Sequence, residues 1–369
     1  MIKVLHFFKT YYPDTMGGIE QVIFQLAQGG GAHGIQSEVL YLSGRGSARG
    51  ESVGNHLAHR SRLDMHVAST GFSFSAVRDF AELAKQTDIV HYHFPWPYMD
   101  LLHFATRVHK PTVVSYHSDI VKQKVLLKLY QPLMHRFLNS VDHIVAASPN
   151  YVATSPVLQR HRDKVSVIPY GLNKATYPQP SVERLEYWRS RLGERFFLFV
   201  GALRYYKGLK YLLEAAAGTD MAVVIVGSGP LDAELRAQAR QLGLSNVHFL
   251  GGLPDDDKAA LLTLCRAFVF PSHLRSEAFG ISLAESAMYG KPMISCEIGT
   301  GTTFINIAGE TGLVVPPADP AALRQALRML WDQPNVAAEM GRRAAQRFEQ
   351  LFSADSMVSS YASLYRSLL

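Results

Sequence analysis

The segment AFVFPSHLRSEAFGISLAES, residues 267–286, predicts a buried strand, a polar loop and a helix in direct succession. The run at 267–270 has no alternating polar positions, so it suits a strand that is covered on both faces. Phe279-Gly280-Ile281 would then open the helix with backbone amides that have no partner inside it. Strand, loop and helix in this order form the repeating unit of a parallel α/β sheet.

The same alternation of short apolar runs and amphipathic stretches continues along all 369 residues and falls into two sets. We therefore predict an α/β protein with two doubly wound, Rossmann-like parallel-sheet domains that face each other across a cleft, with ligands at the carboxyl ends of the strands. The predicted strands are, in the first set, Lys3–Phe8, Ser37–Tyr41, Ile89–His93, Thr112–Tyr116, His143–Ala146 and Val165–Ile168, and in the second set, Phe196–Val200, Ala222–Val226, Val247–Leu250, Ala267–Phe270, Pro292–Ser295 and Thr311–Val315.

A turn-rich stretch that contains Gly171, Pro178 and Pro180 separates the two sets. It places an N-terminal domain at residues 1–172 and a second domain at residues 173–350. The last segment, 351–369, predicts a helix that packs back toward the N-terminal domain. The segment Gly44–Gly54 is rich in Gly, Ser and Arg and predicts a mobile loop.

The composition, with 47% apolar and 18% charged residues, is that of a globular protein. Its two cysteines, Cys265 and Cys296, cannot form a disulfide framework or a four-ligand zinc site, and they suit a reducing compartment. No apolar run approaches the roughly 20 residues of a membrane-spanning helix. The N-terminal MIKVLHFF predicts a first strand rather than a signal peptide. We therefore expect a cytoplasmic protein.

The net charge of +6 belongs to the first half of the chain, where residues 1–180 hold 18 Lys and Arg against 12 Asp and Glu. The same half holds 13 of the 15 histidines. This asymmetry indicates an anionic surface or substrate on that side. Nucleic acid is the obvious alternative. The basic residues are spread out, however, and no DNA- or RNA-binding signature is present, so we expect no nucleic-acid partner.

Two loops that follow predicted strands carry groups suited to phosphate. Gly17 and Gly18 precede a helix and could let an anion approach its amides, or they could simply form a tight turn. Arg204 and Lys207 follow the strand Phe196–Val200, where two cations suit a pyrophosphate. A solvated pair of side chains is the alternative for these two cations.

Glu277 in the loop and Glu285 inside the helix would address different parts of one ligand. A carboxylate accepts two hydroxyl hydrogen bonds, which is what a sugar or ribose diol offers. A paired-carboxylate hydrolase is less convincing, because no water-activating partner is evident. The alternative is a charge near the start of the helix together with an exposed glutamate.

His117 ends the strand Thr112–Tyr116 at the edge where ligands bind, so it is a candidate ligand contact. A lone histidine at such a position can equally be structural. His91 and His93 flank another strand end, where they could touch a second ligand. Packing in an aromatic loop is the better interpretation of these two.

On these residues the chain resembles the retaining glycosyltransferases of the GT-B fold, specifically family four, over essentially its whole length. The glutamate string is highly specific and the other motifs are moderately so. One departure is Ala202, where many relatives carry Arg, which affects the geometry around the diphosphate. The motifs that occur in the family's order are the turn Gly17-Gly18, the strand end at His117, the loop Gly201…Arg204…Lys207-Gly208 and the string Glu277-x7-Glu285.

The resemblance implies that the second domain binds a nucleotide-diphosphate sugar and that the N-terminal domain binds the acceptor. Arg204 and Lys207 would hold the diphosphate of the donor. Gly17 and Gly18 would close over it from the N-terminal domain. The amides of Phe279, Gly280 and Ile281 would bind phosphates and sugar hydroxyls.

The resemblance also implies separate roles for the two carboxylates and the histidine. Glu285 would bind the ribose and Glu277 the transferred sugar. His117 would hydrogen-bond that sugar and stabilise the oxocarbenium-like transition state. Such enzymes retain the configuration of the sugar by front-face attack and need neither a metal nor a cofactor. The sequence shows no metal-ligand cluster such as Asp-x-Asp.

The stretch Cys296–Asn306 lies where the family contacts the donor sugar. It resembles the corresponding stretch of bacterial surface-polysaccharide mannosyltransferases and their D-rhamnosyl relatives, which use GDP-linked sugars. UDP-linked glucose or galactose is the main alternative. The choice of base would depend on backbone contacts near Gly251-Gly252-Leu253.

The segment Ile120–Leu138 interleaves basic and apolar residues, which suits the surface of an anionic membrane. A solvated helix that packs on its own domain is the alternative.

From the resemblance and the basic first half together, we expect transfer of an α-D-mannosyl or D-rhamnosyl group from a GDP-sugar to a lipid-linked saccharide, at the cytoplasmic face of the inner membrane, in O-antigen synthesis. A nucleotide-sugar 2-epimerase and a non-catalytic sugar-nucleotide binding protein are the alternatives from other classes.

Overall fold

The computed structural model describes residues 1–67, 70–120 and 124–369. Its contacts divide the chain into two compact units: Met1–Leu172 with Ala354–Leu369, and Asn173–Ser353. In the described ranges, none of the helices has the length and apolar character that crossing a membrane would require. The binding roles assigned to the two halves remain predictions.

The first unit contains one large sheet and one hairpin. Its strands are β1 (Ile2–Phe7), β2 (Ile35–Ser43), β3 (Ala48–Val53), β4 (His56–Arg62), β5 (Met65–Val67), β6 (Thr70–Phe72), β7 (Ile89–Phe94), β8 (Thr112–Tyr116), β9 (His143–Ala146) and β10 (Val165–Val167). The sheet has the order β10-β9-β8-β7-β1-β2-β4-β3, and β5 pairs with β6. Neighbours in the sheet are parallel except β3 and β4.

Helices connect these strands as the parallel topology demands. They are α1 (Gly18–Gly29), α2 (Phe74–Gln86), α3 (Pro97–Ala105), α4 (Lys124–Ser140), α5 (Pro149–Thr154) and α6 (Pro156–Arg160). Strands β7 and β8 are buried along their whole length, and neither contains Asp, Glu, Lys or Arg. The predicted helix at Ile120–Leu138 corresponds to α4, and positions 121–123 of that prediction lie outside the described residues.

The edge of the first sheet differs from the sequence prediction. The mobile loop predicted at Gly44–Gly54 is wrong for Ala48–Val53, which forms β3, and the sequence does not predict β4. Strand β3 pairs antiparallel with β4 alone and is mostly exposed, so its residues are polar like those of a loop. Arg49 on β3 also forms an ion pair of 2.7 Å with Asp79. Backbone pairing, surface charges and the packing of Val53 at its end, rather than a continuous apolar face, hold this strand in place.

The second unit has a six-stranded, fully parallel sheet, as the sequence predicts. Its strands are β11 (Phe197–Val200), β12 (Val223–Val226), β13 (Val247–Gly251), β14 (Ala267–Phe270), β15 (Met293–Cys296) and β16 (Gly312–Val315). Their order is β13-β12-β11-β14-β15-β16. The helices are α7 (Val182–Leu192), α8 (Leu209–Ala216), α9 (Asp232–Gln241), α10 (Asp255–Leu264), α11 (Ile281–Met288), α12 (Thr302–Ile305), α13 (Pro320–Asp332) and α14 (Pro334–Leu351).

The last helix, α15 (Ala354–Ser367), belongs to the first unit and packs beside α1. At its start the amide of Ala354 donates to the carbonyl of Leu172, 3.0 Å away. Further along, Tyr361 and Tyr365 are buried against the sheet. The helix therefore covers one face of the first sheet and supplies hydroxyl groups to it.

Candidate active site

Two loops of the second unit meet at Gly208. The loop that follows β11 turns through a short 3-10 helix, Tyr205–Lys207, and Gly208 then has a φ of +70°. A Cβ atom at this position would lie 1.9 Å from the carbonyl oxygen of Pro271, which follows β14. Glycine is therefore required both by its backbone angle and by this close approach. The contact presses the loop after β11 against the loop after β14.

That contact brings Lys207 to Glu277. The Lys207 Nζ lies 2.5 Å from Glu277 Oε2, and the Ser272 hydroxyl donates to the same carboxylate oxygen at 3.2 Å. The side chains of Lys207 and Glu277 are only 10% and 12% exposed. The Lys207 ammonium also lies 4.4 Å from the centre of the Phe270 ring. Two predicted donor-site residues thus form one shielded ion pair.

Arg204 precedes this pair on the same loop and is exposed to solvent. Next to it, Tyr205 places its hydroxyl 3.3 Å from Ser276 Oγ, which joins the loop to the residue before Glu277. Burial, with the Glu277 charge nearby, raises the pKa of Tyr206 to about 12, so its hydroxyl stays protonated. The loop therefore carries one paired cation and one exposed cation.

Helix α11 begins directly after Gly280, a position that suits no other residue type well. Gly280 has a φ of +95°, and a Cβ there would lie 3.1 Å from Leu283 and 3.2 Å from the Phe270 ring. The Phe279 side chain is buried, and its ring packs 6.1 Å from that of Phe352. Both Phe279 and Gly280 are buried, so no side chain at these two positions faces solvent. Ile281 is partly exposed at the first position of the helix.

Glu285 lies on the partly exposed side of α11 and accepts a hydrogen bond of 2.9 Å from the Tyr177 hydroxyl. Tyr177 comes from the start of the unit, and its ring lies 6.5 Å from that of Tyr289. Both tyrosines line a cavity of about 220 Å³. The sequence alone does not point to Tyr177, because nothing in the spacing of the glutamates indicates a tyrosine more than a hundred residues away.

The Glu277 loop is also fastened to the predicted sugar-contacting stretch Cys296–Asn306. Arg275 Nη1 donates to the carbonyl of Gly299 at 3.0 Å. The amide of Gly301 donates to the carbonyl of Ala278 at 2.8 Å. These two bonds hold the stretch beside Glu277. Arg275 is a further site residue that no sequence motif singles out.

Gly17 and Gly18 lie in the first unit, at the start of α1, and both are exposed. The Glu20 carboxylate rests against Gly17 and accepts hydrogen bonds from the Thr10 and Thr15 hydroxyls, at 2.9 and 2.8 Å. An acidic side chain thus already occupies part of this helix start, which is where a negative group is favoured.

His117, also in the first unit, is buried, and each of its ring nitrogens has a partner there. Nδ1 lies 2.5 Å from the Tyr170 hydroxyl, and Nε2 lies 3.0 Å from Nδ1 of His93. Burial, with Lys9 nearby, lowers the pKa of His117 to about 3. The ring is therefore neutral, so it can exchange hydrogen bonds with a sugar but does not bring a positive charge.

His91 and His93 are completely buried on β7, which agrees with packing rather than with ligand contact. Ring nitrogens of His6, His91 and His93 lie within 4.8 Å of one another, as in a potential metal site. Both nitrogens of His91 have partners, however: the Tyr365 hydroxyl at 2.7 Å and Ser115 Oγ at 2.8 Å. The absence of a metal requirement stays a prediction.

Comparison with known proteins decides the family. Residues 16–175 match the family described as Glycosyltransferase Family 4, and residues 185–347 match the family described as Glycosyl transferases group 1. The D-rhamnosyltransferase WbpZ of Pseudomonas aeruginosa is 64% identical over 353 residues, which cover 96% of this chain and 93% of that protein. The chain belongs to glycosyltransferase family four. The O-antigen chain mannosyltransferase C of Escherichia coli is 52% identical to this glycosyltransferase over 368 residues, which cover 100% of this chain and 99% of that protein.

A solved structure supports the fold of this glycosyltransferase. Sucrose-phosphate synthase from Thermosynechococcus elongatus matches with a TM-score of 0.82 at 22% identity, over 100% of this chain and 99% of that one. This match confirms the predicted GT-B fold, and the sequence relatives confirm the predicted family. Membership of a glycosyltransferase family also displaces the epimerase and the binding-protein alternatives.

The ion pair predicts strong energetic coupling between Lys207 and Glu277. Removing one partner leaves a charge without compensation in a shielded position, so Lys207→Met or Glu277→Gln should each lower the free energy of unfolding by up to about 3–5 kcal/mol. Removing both should cost clearly less than the sum, with a coupling of more than about 1 kcal/mol in urea unfolding. The half-exposed pair Asp232–Arg236 is the control, with an expected coupling of about 0.5 kcal/mol or less. Additive losses at Lys207 and Glu277 would contradict the coupling.

Proposed function

We propose that this glycosyltransferase moves an α-D-mannosyl or D-rhamnosyl group from a GDP-sugar to a lipid-linked saccharide in O-antigen synthesis, with retention of configuration and without a metal. The observation that carries the proposal is whole-length identity of 64% and 52% to enzymes named as a D-rhamnosyltransferase and an O-antigen chain mannosyltransferase. The Lys207–Glu277 pair, which joins two predicted donor-site residues, supports it independently of those names.

The charges around the ion pair fit a diphosphate leaving group. Glu277 compensates much of the Lys207 charge, and exposed Arg204 adds a positive charge on the same loop. An ammonium group carries three donors, so Lys207 can hold the carboxylate and still donate to a phosphate oxygen. Charge that develops on the leaving diphosphate would thus meet donors that are already in position, which is how a preorganised site lowers a barrier.

The same geometry suits front-face transfer. Oxygen Oε2 of Glu277 accepts from Lys207 and Ser272, and this weakens the carboxylate as a nucleophile. In the proposed step the bond between the anomeric carbon and the phosphate oxygen breaks while the acceptor oxygen bonds to that carbon on the same face. The acceptor proton passes to the departing phosphate oxygen. Neutral His117 would contribute a hydrogen bond to the sugar.

Thermal shift with GDP and UDP tests the choice of base. We expect GDP to raise the melting temperature and UDP, at the same concentration, to leave it nearly unchanged. A nucleotide at one hundred times its Kd stabilises a protein by about 2.7 kcal/mol. As a control, Glu285→Gln should weaken the shift, because this carboxylate is assigned to the ribose. A shift with UDP alone, or equal shifts with both, would contradict the GDP-sugar donor.

Substitution of the ion pair tests the assignment of the donor site. Lys207→Met and Glu277→Gln should each lower transfer by about 100-fold or more, since each removes charge stabilisation that acts on the reacting groups. Lys210→Met is the matched control, because this exposed lysine lies three residues further on and should leave transfer unchanged. Far-UV circular dichroism at the assay temperature would establish that each variant is folded. A folded Lys207 or Glu277 variant with full activity would refute the assignment.

Helix α4 supports the proposed contact with an anionic membrane. One side of the helix packs on its own unit through buried Met134 and Phe137. Leu126, in the first turn of the helix, is 48% exposed, and Leu129 is 78% exposed and follows exposed Lys128 in the sequence. Exposed leucines beside a basic residue are what a peripheral membrane helix presents. The helix thus packs on its own unit, as one of the two alternatives predicts, and its exposed side chains support the other.

The adjoining helix α3 contacts α4 through a buried carboxyl group. The Tyr130 hydroxyl on α4 donates to the Asp100 carboxyl on α3. Burial raises the pKa of Asp100 well above its usual range, which favours the uncharged form of this carboxyl. Leu101, the next residue on α3, is 48% exposed. Leu101 therefore extends the apolar surface of α4, and the buried Asp100 carboxyl does not add to the exposed surface.

Vesicle sedimentation tests the membrane contact. We expect binding to vesicles of phosphatidylglycerol and phosphatidylcholine that weakens as salt is raised, and no binding to phosphatidylcholine alone. The double substitution Lys128→Glu, Leu129→Glu should weaken binding about tenfold or more, because it reverses a charge and removes an apolar contact. Lys258→Glu on α10 reverses the same charge in the second unit and should have little effect. Absent or salt-independent binding would contradict the contact.

A further inference from the structure

Three histidines form a hydrogen-bonded row on one face of the first sheet. His117 Nε2 lies 3.0 Å from His93 Nδ1, and His93 Nε2 lies 3.1 Å from His6 Nδ1. The row crosses neighbouring strands, because His6 is on β1, His93 is on β7 and His117 directly follows β8. Its outer end meets the Tyr170 hydroxyl at His117 Nδ1. We call His6, His93 and His117 the histidine row.

The rings of the row are neutral. Burial lowers the pKa of His6 and of His117 to about 3, and that of His93 well below its usual value. A neutral imidazole has one N–H and one lone pair, so each ring donates at one nitrogen and accepts at the other. Since His93 forms both internal bonds of the row, all three rings must carry the proton on Nε2 or all on Nδ1. The tautomers are therefore set together.

We propose that His93 and His6 are positioning residues that hold His117 in one tautomer and one ring orientation. They thereby determine whether Nδ1, the His117 nitrogen outside the row, presents a proton or a lone pair. The inference rests on the proposed function, in which His117 hydrogen-bonds the transferred sugar. It adds two residues to that function, neither of which touches the sugar: one lies a strand away from His117 and the other two strands away.

The chain offers a matched set of substitutions at His93. His93→Asn keeps an amide near the Nδ1 position and so retains the bond to His117. His93→Gln places its amide near the Nε2 position and retains the bond to His6. His93→Phe keeps the ring shape but neither bond. We expect His93→Gln and His93→Phe to lower kcat about tenfold with little change in donor KM, as for the loss of one hydrogen bond in the transition state. His93→Asn, which orients the His117 ring but no longer links it to His6, should lower kcat less than either.

His91→Phe is the control for burial alone. The His91 ring stacks 4.5 Å from that of His93, but its nitrogens bond Tyr365 and Ser115 rather than the row. It should lower the melting temperature as His93→Phe does and leave kcat of the folded enzyme unchanged. An equal fall of kcat in both variants would show that packing, and not the row, supports His117.

The tautomer can be read directly by ¹⁵N NMR of the full-length enzyme with labelled histidine. We expect His6, His93 and His117 to share one tautomer, and His117 to become a mixture in His6→Phe and His93→Phe. Different tautomers among the three rings, a wild-type His117 spectrum in both variants, or stoichiometric metal bound by the row would overturn the inference. An active His117→Ala would instead refute the proposed role of His117. An inactive His117→Ala together with fully active His93→Phe would refute only the positioning role.

Discussion

The contact between Gly208 and the carbonyl of Pro271 is the constraint on which the second unit's site depends. It fixes how closely the loops after β11 and β14 approach, and so it places Lys207 against Glu277 in a shielded position. A lysine with so little exposure needs a counter-charge, and a glutamate there needs a cation, so each residue compensates the charge of the other. Motifs that are far apart in the sequence therefore act as one unit.

The first unit is organised by a different requirement, the satisfaction of polar groups that lie on a buried sheet face. Imidazoles in such a place need hydrogen bonds, and α15 provides them: Tyr365 bonds His91, and Tyr361 bonds Ser115. The final helix is thus part of the first sheet's hydrogen bonding. Because burial keeps rings such as His93 neutral, they contribute nothing to the positive field that the abundance of histidines in this half suggested.

The sequence predicts the strands well where burial is complete, because a continuous apolar run as short as 267–270 suits a strand covered on both faces. It fails at β3, whose single partner and exposed face allow polar residues. The site residues likewise divide into those that the sequence predicts and those that it does not. Glu277 and Lys207 stand out as motifs, but Tyr177 and Arg275 act through contacts made by folding and have no local signal. The alternation His91-Tyr92-His93 indicates two rings on one face, although not the partners that β1 and β8 bring.

Under the proposed function, the row also bears on sugar selection. D-Rhamnose is D-mannose without one hydroxyl group, and a site rejects such an analogue strongly when a buried polar group is left unpaired. Here Nδ1 of His117 already has the Tyr170 hydroxyl as a partner. Where the hydroxyl that the deoxy sugar lacks is the one that His117 would meet, Tyr170 stays in place and the site loses no hydrogen bond at this nitrogen, whereas the hydroxylated sugar would exchange one bond for another. His117 in this setting would discriminate weakly between the two donors. Selection would then depend more on the stretch that Arg275 and Ala278 hold beside Glu277.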